Sequence, residues 1–254
     1  MDKKTESKNP KRRRRSKFSH VFELQARRQG SYLFVFAVIM VLIALGVVIG
    51  FSYLMASPDK ATMLYLATGA PTIVLVMTAL VTVPMQNASA KLEGYIDFVK
   101  SLPVSRKLFL FADVSIWALV TVPAIIISVF VAHLMYQPGF SVSWIIIPSF
   151  VLMVLASFGI GYGYSFVMPA EGAMALSQVI AFTSLMFSPI NFPIERLPDW
   201  LQIVQQVFPI YHMAEVMRSA LGNETFHAQP ISYIVLAIWA VLGFFGAIRF
   251  LERA

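Results

Sequence analysis

Two ionisable side chains, Asp113 and His133, sit inside an otherwise apolar run, where such groups mark functional sites by default. Asp113 lies about five residues from one end of its run, close enough to snorkel, or to pair with Arg106 two turns back on much the same helical face. His133 lies near the other end and reads either as a hydrogen-bonded structural residue or as a ligand. Further on, Gly159-Ile160-Gly161-Tyr162-Gly163-Tyr164-Ser165 resembles a nucleophile turn. Gly159 and Gly163, however, have the spacing that lets two helices approach closely, and no histidine lies nearby to activate Ser165. Gly46 and Gly50 repeat that spacing in the first apolar run.

A catalytic reading fails for want of parts. There is no HExxH, no GxSxG and no pair of carboxylates on one apolar helix. The chain has 0 cysteines, which removes disulfides, thiolate metal sites and cysteine nucleophiles. It also lacks the GxxxxGK[ST] loop that cradles phosphates, so no cofactor is expected in this chain. Any ATP and Mg would be held by another polypeptide.

Two stretches break the apolar pattern. In residues 86–107, Leu92, Tyr95, Ile96, Val99 and Leu102 form a helical stripe on a polar segment that Pro103 should end. Alone, such a helix either rests on the membrane or docks in a partner's groove. In residues 187–218, Pro189, Pro193, Pro198 and Pro209 exclude one straight spanning helix. Leu197, Trp200, Leu201, Val204, Val207 and Phe208 predict an amphipathic helix with Asp199, Gln202, Gln205 and Gln206 opposite. After Pro209 a second pattern places Ile210, Met213, Ala214 and Met217 against His212, Glu215 and Arg218, with Gly222 as its stop. The pair should lie along a membrane boundary, polar sides toward water.

The elements that position these residues are membrane-spanning. Hydrophobic residues make up 58% and charged ones 13% of 254, against about 25% charged in a soluble domain. Six spans are expected, at residues 32–56, 61–85, 108–136, 142–168, 173–190 and 231–250, with kinks at Pro71 and Pro84. Residues 1–17 read as a disordered basic tail, 18–31 as an interfacial amphipathic helix, and 32–254 as the six-helix domain. The fold class is thus all-α integral membrane. The early arginine run reads as a retained anchor, because the apolar run after it is too long for a signal peptide.

The net charge of +7 is concentrated in a patch from Lys11 to Lys17 that suits anionic lipids, with nothing beside it to read nucleic acid. If the N-terminus is cytoplasmic, inner segments hold seventeen basic residues (eleven before the first span, four in residues 86–107, two at the C-terminus) and outer segments three. That bias puts both termini inside and residues 187–218 outside.

The two broken stretches together resemble the type-2 ABC transporter permeases, the membrane subunits of bacterial exporters, and the likeness covers nearly the whole chain. Leu92-Glu93-Gly94-Tyr95-Ile96-Asp97-Phe98-Val99 followed by Leu102-Pro103-Val104-Ser105-Arg106 is similar to that family's coupling-helix motif, with Tyr95 for its usual Thr and Asp97 for its usual Glu. Phe192-Pro193, Leu197-Pro198, Trp200-Leu201, Pro209-Ile210-Tyr211 and Arg218 resemble its C-terminal signature.

The resemblance implies a coupling role for Gly94, Tyr95, Asp97, Leu102, Pro103 and Arg106. It also implies an outer gate or re-entrant segment at Pro193, Pro198, Trp200, Pro209, Tyr211 and Arg218. Two cytosolic ATPases and a second permease copy or paralogue are its implied partners. A drug, lipid or lipid-linked glycan is the implied cargo, in a bacterial cytoplasmic membrane. The alternatives are the membrane subunit of an uptake system, an intramembrane lipid-modifying enzyme, and a scaffold.

Overall fold

The computed structural model describes residues 17–54, 60–101 and 105–253, and these are helical almost throughout. The basic tail before Lys17, the turn at residues 57–60 except Lys60, and the predicted coupling residues Leu102 and Pro103 lie outside the described residues. Helix α1 (Lys17–Leu45) continues through a π-helical turn at Gly46–Gly50 into α2 (Phe51–Leu54). The amphipathic segment expected as a separate surface helix therefore forms the opening turns of the first long helix, with Val21 and Gln25 buried.

The second span is the axis of the molecule. It comprises α3 (Lys60–Met77), a π-helical turn at Thr78–Thr82 and α4 (Val83–Leu92), and its apolar window is 94% buried. Pro84 has no N–H to offer the carbonyl of Leu80 one turn back, and the Tyr164 hydroxyl donates to that oxygen at 2.7 Å instead. The widened turn brings the Ala79 carbonyl so close to Gly161 that a Cβ there would collide with it.

Helix α5 (Tyr95–Ser101) follows, then α6 (Arg106–Tyr136), α7 (Ile146–Val167) and α8 (Ala170–Met186). Five helices are long and apolar enough to cross a membrane, and α8 is the shorter sixth. The predicted fifth span thus ends four residues early, because Pro189 has no N–H to give the Leu185 carbonyl and cannot extend the helix. The fourth begins later than expected, at Ile146.

The outer stretch holds a short 3-10 turn (Ile194–Arg196), α9 (Asp199–Val207) and α10 (Pro209–Leu221), and α11 (Pro230–Arg253) closes the bundle. Glycines set the α7–α11 seam. A Cβ on Gly243 would overlap the Gly159 backbone, and one on Gly163 would lie 3.1 Å from the Gly243 carbonyl oxygen. Gly159 and Gly163 are thus in close contact with α11. Gly46 and Gly50 are not: nothing lies within 4 Å of a Cβ at either.

Candidate functional site

The residues singled out by sequence collect at opposite ends of the axial helix. From Tyr65 in α3 to Lys91 in α4, at ~1.5 Å per residue, is about 39 Å.

At one end, α4 turns into α5 through Gly94, whose φ of 72° lies in the left-handed region that glycine occupies without steric cost. The Gly94 carbonyl accepts the Phe98 N–H at 3.1 Å and so starts α5. The helix is seated by Ile96 and Val99, each 5% exposed, and by Tyr95, whose ring lies 6.5 Å from that of Phe109. Arg28 of α1 covers the other face of Tyr95, 3.1 Å from its centroid. Burial pushes the Tyr95 hydroxyl above its ordinary value, and the Arg28 guanidinium opposes that shift.

Asp97 and Phe98 point outward, joined by exposed Leu92 and Glu93. Of the apolar stripe, Ile96 and Val99 are buried, Tyr95 is half-buried and Leu92 is exposed among the described residues. Arg106 opens α6 and donates from Nε to the carbonyl of Leu251 at 3.2 Å, tying α6 to the end of α11. Lys91, which the sequence did not flag, caps the end of α7 by donating to the carbonyls of Phe166 and Met168 at 2.7 and 2.8 Å.

Arg106 is therefore not the partner of Asp113. The Asp113 carboxylate accepts a hydrogen bond from Gln29 at 2.8 Å and another from the Tyr162 hydroxyl, and it is buried rather than snorkelling. His133 is exposed, with its ring 6.5 Å from that of Phe140. Ser165 is held by the Asn87 side chain at 3.1 Å.

At the other end, the two amphipathic helices differ from each other. In α9, which starts after Pro198, the apolar side faces outward: Trp200 and Ile203 are each 66% exposed. On the polar side Asp199 and Gln206 are exposed and Gln202 is half-buried, but Gln205 is buried and donates to the Phe187 carbonyl at 3.0 Å. Helix α10 starts at Pro209 and is largely buried, packed on α3, α7 and α11. It does not lie along a surface with its polar residues in water. Tyr211 is half-buried, edge-on to His212, whose ring nitrogens meet Ser232 Oγ at 3.0 Å and the Gln206 carbonyl at 2.7 Å.

Arg218 is 1% exposed and is the centre of this end. It donates to the carbonyls of Pro189 and Ile190 at 2.7 Å each, bonds Glu215 at 3.1 Å, and stacks 3.7 Å from the centroid of Tyr65. The Tyr65 hydroxyl continues the network to the Phe192 carbonyl at 3.0 Å, just before Pro193. A cation here satisfies oxygens that the prolines leave without helical partners. Tyr65 and Gln205 escaped the sequence reading because one lies in a spanning run and the other on a face taken as wet. The end carbonyls of α10 are also met: Ser143 and Ser141 donate their backbone N–H to Ala220 and Leu221 at 2.9 and 3.0 Å.

The arrangement is a set of spans around a buried axial helix, with the short helix α5 at one end and a pinned, bent segment at the other. No curated protein matches the chain. The ABC-2 type transporter family model matches residues 21–221, from the first helix to the last turn of α10. The chain is a multi-pass membrane protein that belongs to the ABC-2 type transporter family, as the permease subunit of a transporter whose ATP hydrolysis resides in a partner.

Proposed function

We propose that this permease exports an amphipathic or hydrophobic substrate, a drug, lipid or lipid-linked glycan, from the cytoplasm or inner leaflet of a bacterial membrane. Two cytosolic ATPases, holding ATP and Mg, press on α5, and a second permease copy or paralogue completes the path. The observation that carries this reading is the division of α5 into a seated side, Ile96 and Val99, and an outward side, Asp97 and Phe98. A partner can grip the outward side while the seated side passes the displacement to Phe109 of α6 and Arg28 of α1.

Orientation follows from the basic residues, which place α5 and both termini in the cytoplasm and α9 and α10 outside. Helix α9 then rests its exposed Trp200 side in the outer interface. The outer segment between the last two spans favours export over an uptake subunit.

The test is transport by the complete complex. In Asp97→Arg and Gly94→Pro variants, export should be abolished while membrane insertion is normal; unchanged export in either removes α5 as the drive point. Proline cannot adopt the φ of 72° found at Gly94. Because the chain has 0 cysteines, a single Trp200→Cys label reports topology directly. Reaction with an impermeant maleimide added from outside is expected, and labelling only from the cytosol would reverse the orientation.

A further inference from the structure

A cavity of about 290 Å³ lies behind α5, between α1, α4 and α6. Its rim carries exposed Arg28, Gln86 and Glu93, and its lining includes buried Asp113 and Trp117. Asp113 is 6% exposed and receives one hydrogen bond on each carboxylate oxygen, from Gln29 and Tyr162, both neutral donors. Each oxygen keeps accepting capacity.

Neither nearby cation pairs directly with Asp113. Arg28 is stacked on Tyr95, Arg106 is turned to Leu251, and among the described residues Asp113 forms no salt bridge. A buried carboxylate without an ion pair is costly, and Arg28, which lines the same cavity, acts on it only from a distance, so an added cation at the carboxylate can lower that cost. Beside it, Phe36 and Trp117 meet edge to face, 5.4 Å between centroids, and both line the cavity. A carboxylate flanked by aromatic rings is the chemistry that takes an organic ammonium.

We propose that this cavity receives the ammonium head of an amphipathic molecule, with Asp113 facing its charge, Phe36 and Trp117 covering the adjoining methylenes, and the tail leaving past exposed Tyr32. The fate of that molecule as cargo rests on the export reading; its binding does not. Two sources share the chemistry: a cationic amphipathic substrate and the ethanolamine head of a membrane phospholipid.

The experiment places the full chain in phosphatidylglycerol nanodiscs and measures saturable binding of labelled dodecylamine above that of empty discs. Binding should resist dodecyl sulfate. It should fall about tenfold in Asp113→Asn, as loss of one close charge contact implies. Gln86→Lys, an exposed change on the rim, should weaken it in the same direction, and Glu224→Gln, exposed in the α10–α11 connection, should not. Should Asp113→Asn not fold, the rim variant decides.

Displacement by phosphatidylethanolamine built into the discs would assign the site to lipid. Displacement by dodecyltrimethylammonium alone would assign it to cargo. Absence of saturable binding, or binding unaltered in folded Asp113→Asn or in Gln86→Lys, would overturn the proposal. Export with no ammonium binding would sink this inference alone, and binding without ATP-driven export would sink the export reading alone.

Discussion

Helix α10 turns its charged residue inward, whereas α5, at the far end of the same axial helix, turns its acid outward. In α10 the Arg218 guanidinium meets two backbone carbonyls, a carboxylate and an aromatic face at once. Charge-assisted bonds of this kind, away from water, have one good geometry and lose heavily when displaced, so the segment from Pro189 to Phe192 is locked to α3 and α10. Helix α5 is held by apolar and ring contacts, which are non-directional and tolerate small shifts. Its outer side carries exposed Asp97 and Phe98. One end is fixed by directional bonds and the other by contacts that tolerate displacement.

Removing Arg218 is the hardest blow to that contrast. Arg218→Leu strands Glu215 and the carbonyls of Pro189 and Ile190, and should cost on the order of 3–5 kcal/mol, read as a large fall in the unfolding midpoint of the purified chain. A drop no larger than that of a surface change would dissolve the comparison. Next, Gly69→Val drives a side chain into the Ile190 carbonyl and should cost about 1–3 kcal/mol in the same assay. Tyr65→Phe keeps the ring beneath Arg218 but loses the bond to Phe192, for about 1 kcal/mol; a neutral result would confine the pinning to the guanidinium.

The smallest stability effect belongs to the other end. Phe98 is 56% exposed, so Phe98→Ser should shift stability by less than about 1 kcal/mol while lowering export by the assembled transporter. A large stability loss there would mean that α5 is a core element.

Much of the fold was legible because hydrophobic runs longer than the bilayer is thick have few alternatives to spanning helices. Some breaks were legible too: Pro198 and Pro209 begin the helices expected after them, and Gly222 ends α10, whereas the turn at Gly94 divides a helical stripe expected to run from Leu92 to Leu102. Facing was not. Amphipathic periodicity shows that a helix has two sides without saying which meets protein, so Gln205 and Arg218 were assigned to water and are buried. Nor could the spacing of Gly46 and Gly50 be told from that of Gly159 and Gly163, since only the second pair has a neighbouring backbone against it.

Local chemistry within a few residues therefore settled where helices begin, how far they run and which could cross a membrane, because propensity, proline geometry and hydrophobic length act along the chain. Pairings between distant residues were decided only in three dimensions. Asp113 with Gln29 and Tyr162, Arg218 with Tyr65 and the Pro189 carbonyl, and Tyr164 with the carbonyl freed by Pro84 each join positions that no local pattern connects. A buried polar atom needs a partner, but sequence states only the need; packing chooses which distant group supplies it.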